Sequence, residues 1–337
     1  MNSNALLLDL YRVMARIRAF ENAAEIASQG GVAAWGLAAD AKPALVRGPL
    51  HLSTGQEAVA TGVCKHLSHA DLLTSTHRGH GHTLAKGAAV VPMMCELFGR
   101  ATGTNKGKGG SMHIADFSVG MLGANGVVAA GIPIAVGAAH ALKIKGARNV
   151  VACFFGDGAV NRGPFLEGLN WAQVYDLPVL FVCEDNRISA TTPTAPMTAG
   201  EGAIARARSM GIDGLTVDGN DVMAVYDATE TLLAQIRARG GPRFLHALTY
   251  RFKGHVSVDP GTYRDPAEVE AALRFDPLVL ARAKLLAQGV TAGDVDAIDA
   301  AARNEIAAAM SAAEAAPWPE ARDAFEDVIT TGVGTWR

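Results

Sequence analysis

The segment from Asn149 to Asn186, NVVACFFGDGAVNRGPFLEGLNWAQVYDLPVLFVCEDN, restricts the possible folds more than any other stretch of the chain. Val150 to Phe155 is an unbroken apolar run, as expected of a strand buried on both faces of a parallel sheet. Gly156-Asp157-Gly158 ends it, with glycines where the backbone must turn sharply or approach a ligand. A helix is predicted from about Pro164 to Tyr175, and Pro178 to Cys183 reads as a second buried strand. A right-handed crossover places such strands side by side or nearly so, with both carboxyl ends on one edge. Asp157 and Asn186 then project from the edge where open α/β sheets bind ligands.

One carboxylate and one amide oxygen suit a hard divalent cation, and magnesium completes such a set with water and phosphate oxygens. The pair points to a metal-bridged phosphate ligand. Gly-Asp-Gly alone reads equally well as a turn in which Asp157 caps the next helix. The metal reading gains because a second oxygen ligand ends the following strand, twenty-nine positions later. Gly158 and Ala159 supply backbone N–H groups at a helix start, a usual place for phosphate. Asn161 and Glu167 read as a cap or as solvent-facing residues, with a helping role as the alternative.

GDG, then about thirty residues, then an Asn-bearing loop resembles the thiamine diphosphate signature of transketolase-like enzymes. Further blocks resemble the α subunit of the thiamine-dependent component of 2-oxo acid and acetoin dehydrogenase complexes, from about residue 45 to 265: GQEA after His51, THRGHGH around Arg78, MLGANGVV and KGHV. The resemblance implies an α/β thiamine diphosphate-binding fold, a mostly parallel doubly wound sheet flanked by helices, with helical extensions at both ends. It divides the chain into an N-terminal helix and loop (1–48), a cofactor-binding unit (49–265) and a C-terminal helical extension packed on it (266–337).

By the same resemblance, Asp157, Asn186 and the carbonyl of Ile188 hold Mg2+. Arg78 and His255 contact the diphosphate with Gly158 and Ala159, and backbone around Gly126 and Val128 holds the aminopyrimidine. Ser111 to His113 form part of the active-site wall, and His51 lines the reaction chamber. His51, His80, His113 and His255 are the candidates for moving protons, since imidazole titrates near neutral pH. His77 stands where mitochondrial relatives often carry tyrosine, and Val256 where they carry a phosphorylatable serine, so that control is not expected. Asp185 replaces the first asparagine of the usual pair. The implied reaction cleaves a carbon–carbon bond next to a carbonyl, in acetoin or a 2-oxo acid such as pyruvate. The product passes to a lipoyl group on a separate acyltransferase. The glutamate that activates the cofactor comes from the β subunit in this family, so an obligate partner and an α2β2 heterotetramer are expected. THRGHGH and MLGANGVV favour acetoin over pyruvate or branched 2-oxo acids.

The rest of the chain is read from its residues. Residues 5–29 have helical periodicity, with Leu6, Leu10, Val13, Ile17, Phe20, Ala24 and Ala27 on one side and Arg12, Arg16, Arg18, Glu21 and Glu25 on the other. Residues 29–48 read as a loop or lid, and Ser53 or Thr54 as the N-cap of a helix with Gln56 and Glu57 in its first turn. A short strand, Leu72 to Ser75, precedes His77, His80 and His82 in a glycine-interrupted loop, where a zinc site is disfavoured for want of helical spacing or an adjacent acidic partner. A small-residue helix is predicted from Gly131 to Leu142. Helix, strand and helix follow at 203–210, 215–217 and 222–239, then a strand at 244–251. From residue 267 the chain is alanine-rich and helical, broken at Asp276-Pro277, Gly289 and Pro317-Trp318-Pro319.

A formal net charge of −3 gives no reason to expect nucleic acid or an anionic membrane. Cys64, Cys95, Cys153 and Cys183 are dispersed and read as reduced core residues of a cytoplasmic protein. No apolar run approaches the ~18 residues of a membrane span. A nicotinamide oxidoreductase would show Gly-x-Gly-x-x-Gly and an acidic residue ending the next strand; here the acidic residue lies in the turn itself. A non-catalytic scaffold subunit is the third reading.

Overall fold

The computed structural model describes residues 3–29 and 43–327. Most of the loop expected at 29–48, and the last ten residues of the C-terminal extension, lie outside them. In chain order the helices are α1 (Ser3–Ser28), α2 (Glu57–Cys64), α3 (Gly79–Ala85), α4 (Val90–Leu97), α5 (Gly131–Ile144), α6 (Gly163–Val174), α7 (Gly202–Ser209), α8 (Val222–Arg239), α9 (Pro266–Leu273), α10 (Pro277–Ala287) and α11 (Ala292–Ala315). The strands are β1 (Leu72–Thr74), β2 (Met121–Gly123), β3 (Val151–Gly156), β4 (Val179–Asp185), β5 (Ile188–Ser189), β6 (Thr192–Pro193), β7 (Gly214–Asp218) and β8 (Arg243–Leu248).

Six strands form one parallel sheet in the order β2-β1-β3-β4-β8-β7, and β5 and β6 make a small antiparallel hairpin. The chain runs outward from β1 to β2, then returns past β1 to β3 and on to β4, so the strand order reverses beside β1 and β3. Such a switch point leaves a crevice at the carboxyl ends of the strands. The central strands β3 and β4 are buried on both faces, which is why they read as continuous apolar runs. Ala152, Phe154, Leu180 and Val182 pack into a core with α1, α2, α4, α8 and α11. Cys153, Phe155, Phe181 and Cys183 pack into a second core with α5, α6 and α7. All four cysteines are buried and free. Among the described residues no helix is long and apolar enough to cross a membrane.

The structure corrects several local readings. Gln56, not Ser53 or Thr54, is at the N-cap of α2, without a side-chain cap bond. Ser53 donates its hydroxyl to Glu21 instead. Glu21, expected on the polar side of α1, is fully buried, because α2 and α3 cover that side as well. His80 and His82 lie on the short helix α3 rather than in a loop. At the far end, α10 and α11 pack on α1 through Leu7, Leu10, Tyr11, Ala281, Leu285 and Val295.

Candidate active site

The carboxyl ends of the parallel strands deliver the site residues to one cleft. β1 is followed by Ser75-Thr76-His77-Arg78, β3 by Asp157, β4 by Asn186, and β8 by the loop that carries Arg251 and His255. The last β3–β4 pair is Gly156 with Glu184, so Asp157 and Asn186 leave from adjoining strand tips. Neighbouring strands lie about 4.8 Å apart, so the two residues start from adjacent positions on one edge of the sheet. His51, Arg78, Gly126, Val128, Asp157, Gly158, Ala159, Asn186, Ile188 and His255 all line this cleft.

Two further candidates do not. His113 is exposed on a 3-10 turn beside Gly126, and Met112, not His113, lines the cleft. His80 is fully buried behind it, with Nδ1 2.9 Å from Glu21 Oε2 and Nε2 3.0 Å from Ser111 Oγ. Both of its ring nitrogens are engaged, so His80 ties α1 to the 111–113 segment and has no nitrogen free to exchange a proton. Asn161 and Glu167 are exposed and outside the cleft.

At the strand tips, Thr194 Oγ donates to Asp157 Oδ2 at 2.7 Å. Asn186 Oδ1 accepts from the Ile188 amide, and its Nδ2 donates to Gln56 Oε1, so its oxygen is fixed toward the β5–β6 hairpin. Burial raises the Asp157 pKa to about 6, against the Thr194 hydrogen bond and helped by the charge of Asp185. Asp185 itself is desolvated, yet its pKa is lowered by His246, whose Nε2 is 2.9 Å away. Asp185 thus faces β8 rather than the cleft, whereas Asn186 lines the cleft. Gly158 has no room for a side chain, since a Cβ there would come within 2.4 Å of Ser189 Oγ.

The other half of the cleft is cationic. Arg78 is buried, with Nη1 donating to Leu52 O at 2.7 Å and Nη2 donating to His255 O at 3.0 Å. Arg251, also buried, donates to Ala190 O and to the Tyr263 hydroxyl. Neither forms an ion pair with a carboxylate among the described residues. Burial and then Arg251 push the Arg78 guanidinium down to about 9, still a cation at neutral pH but one short of a counter-anion. Burial, followed by the Arg78 charge, lowers His51 to about 3, His77 to about 2 and His255 to about 4. His51 Nδ1 is buried with no hydrogen-bond partner among the described residues.

Three supporting residues carried no sequence signal. Glu96 on α4 accepts from the amides of Asn105, Gly107, Gly109 and Gly110 at 2.7–3.0 Å, shaping the glycine-rich loop that leads to Met112. Glu184, in β4, is bonded to His82 Nε2, and His82 Nδ1 to Ser75 Oγ. Asp259 accepts from the amide of His255 and from the Tyr263 hydroxyl, which fixes the loop after β8. Apart from Tyr263, four positions from Asp259 in a loop, their partners lie far away in sequence or on loop backbone, where spacing rules do not apply.

Residues 37–322 match the family described as "Dehydrogenase E1 component". The chain is 42% identical to the α subunit of acetoin:2,6-dichlorophenolindophenol oxidoreductase from Bacillus subtilis, over 96% of this chain and 93% of that one. It is 41% identical to the protein of the same name from Cupriavidus necator, over 96% and 94%. The pyruvate dehydrogenase E1 component α subunit of Rhizobium meliloti is 35% identical, over 96% and 89%. The match runs beyond residue 265 into the C-terminal helices, and on this evidence the chain belongs to the dehydrogenase E1 component family.

Proposed function

We propose that this chain is the half of a thiamine diphosphate-dependent acetoin dehydrogenase that grips the cofactor's diphosphate and its metal. One observation carries the reading: a cleft at the strand switch point joins two oxygen-bearing side chains, Asp157 and Asn186, to the buried cations Arg78 and Arg251, which pair with no carboxylate among the described residues. The residues fit the group. Asp157, Asn186 and the Ile188 carbonyl offer the hard oxygens that Mg2+ takes. Arg78 supplies the positive charge that a diphosphate needs, and the neutral His255, whose Nδ1 faces Arg78 Nη2, supplies an Nε2–H donor. Gly158 leaves the backbone amides bare for close approach.

Thiamine diphosphate, when bound, supplies the electron sink for cleaving a carbon–carbon bond next to a carbonyl. The protein's own residues do the rest. An anion beside Arg78 offsets the charge that holds His51 and His255 low, and so moves these imidazoles toward the range in which proton transfer is efficient. His51 Nδ1, without a partner in the cleft, is the atom we assign to receive and return the substrate's proton. His80 is given no such role, because both of its nitrogens are held. His113, exposed outside the cleft, is given no such role either.

The α chain works with a β subunit, in an α2β2 assembly that completes the cofactor site. Val127 and Val128, at the lip of the cleft, are 65% and 45% exposed, as a surface awaiting another chain would be. A lipoyl-bearing acyltransferase receives the product, in the cytoplasm. Residues 49–265 form the cofactor-holding unit, and the terminal helices brace it. The higher identity to relatives named for acetoin favours that substrate over pyruvate. The test is turnover of the chain alone and reconstituted with its partner, on acetoin, pyruvate and branched 2-oxo acids. Full activity without a second polypeptide would sink the assembly, and a clear preference for pyruvate would sink the substrate.

A further inference from the structure

The cleft also contains a constellation that the cofactor's metal does not use. His51 stands ahead of α2, His77 follows β1, and His255 lies on the loop after β8. They converge with ring centroids 4.6 Å (His51–His77), 4.8 Å (His51–His255) and 5.8 Å (His77–His255) apart. Each offers one ring nitrogen, and these atoms lie within 4.8 Å of one another. Among the described residues no other group of three His, Cys, Asp or Glu side chains gathers so closely. This is not the His77, His80, His82 run of the sequence, two members of which are spent on Glu21 and Glu184.

We propose that His51, His77 and His255 form a second, three-imidazole site for a borderline divalent cation of the zinc type, separate from the oxygen site at Asp157 and Asn186. Zinc takes imidazole nitrogens at about 2.0–2.1 Å, and a tetrahedral centre sets such ligands about 3.3 Å apart. The 4.8 Å limit is therefore closed by side-chain rotations of roughly 1.5 Å. All three residues stand outside helices and strands, where such rotation is least costly. A three-histidine set leaves a coordination position open, as catalytic and inhibitory zinc sites do. His51 Nδ1 is a buried nitrogen with no partner among the described residues, an atom that a metal would satisfy. The low basicity of the three imidazoles keeps them in the neutral, ligating form at neutral pH. Arg78, whose Nη2 is 3.2 Å from His255 Nδ1, repels a cation, so the site is weaker than one without charged neighbours. Magnesium prefers oxygen and does not compete for it. An ion held there occupies the chamber that His51 faces and blocks it, so the site is inhibitory. Binding of the ion needs only the cleft's geometry, whereas its inhibitory effect rests on the proposed function of the cleft.

The experiment uses the full chain purified with its partner subunit and freed of cofactor. Zn2+ is titrated by calorimetry, and Co2+ serves as a spectroscopic probe, in excess Mg2+. The expected result is one equivalent per α chain, with the intense visible d–d absorption of a four- or five-coordinate nitrogen site. His77→Gln and His255→Gln should each remove that equivalent and that absorption, while His140→Gln, half-buried on α5 against Trp171 and outside the cleft, should leave both. Circular dichroism of each variant reports whether the fold survives. Absence of the Co2+ absorption in the unmodified protein, its persistence in both cleft variants that remain folded, or displacement of Zn2+ by Mg2+ would each overturn the proposal.

Discussion

Replacing Asp157 by asparagine separates what this carboxylate costs the fold from what it does for a ligand. Burial raises its pKa from the model-compound value of 3.8 to about 6. The sign follows from proton linkage. The folded chain binds this proton more tightly than the unfolded chain, so the stabilisation is complete below pH 3.8 and is lost as pH rises through 6. At pH 7.5 the ionised group therefore costs the cofactor-free protein about 3 kcal/mol, taking 1.36 kcal/mol for each pKa unit. Asparagine keeps the shape and can still accept the Thr194 hydroxyl bond, but cannot ionise. Urea unfolding of the cofactor-free Asp157→Asn protein should show a gain of up to ~3 kcal/mol at pH 7.5 and almost none near pH 4. Adding Mg2+ and thiamine diphosphate at a hundred times their dissociation constant should stabilise the native protein by roughly 2.7 kcal/mol and the variant hardly at all. A variant that is destabilised equally at both pH values, or one that gains as much from Mg2+ and cofactor as the native chain, would refute the reasoning.

Cofactor binding to the native chain should weaken as pH falls below about 6, because protonation removes the Asp157 ligand; calorimetry between pH 5 and 8 reads this directly. Glu96→Gln turns an amide NH2 toward two of the four loop amides and loses two charge-assisted bonds, so stability should fall by about 3–6 kcal/mol, with faster hydrogen exchange at residues 105–110. Glu21→Ala strands the Ser53 amide, the Ser53 hydroxyl and His80 Nδ1, and should cost about 3–5 kcal/mol in denaturant unfolding. Gly158→Ala drives a methyl into Ser189 and should abolish Mg2+-dependent cofactor binding, with Ser189→Gly restoring part of it in the double variant.

The central βαβ unit and the placement of Asp157 and Asn186 at adjoining strand tips were legible because they rest on local rules. A strand buried on both faces must be apolar throughout, a chain turning sharply at a strand end favours glycine, and parallel strands put their carboxyl ends on one edge. The small-residue helix α5 and the terminal helices were readable from composition and periodicity in the same way. Glu21 was not, because the polar side of α1 lies against α2 and α3, and no property of residues 5–29 announces that neighbour. Nor were the roles of His80 and His51. One has both nitrogens bound and the other has an unpartnered nitrogen in the cleft, although each looks like a lone histidine near a helix. Sequence by itself determined which residue types stand at the strand tips. Only tertiary packing decided which of them meet, how far each is desolvated and whether its charge is answered, because burial and long-range hydrogen bonds are properties of the assembled fold.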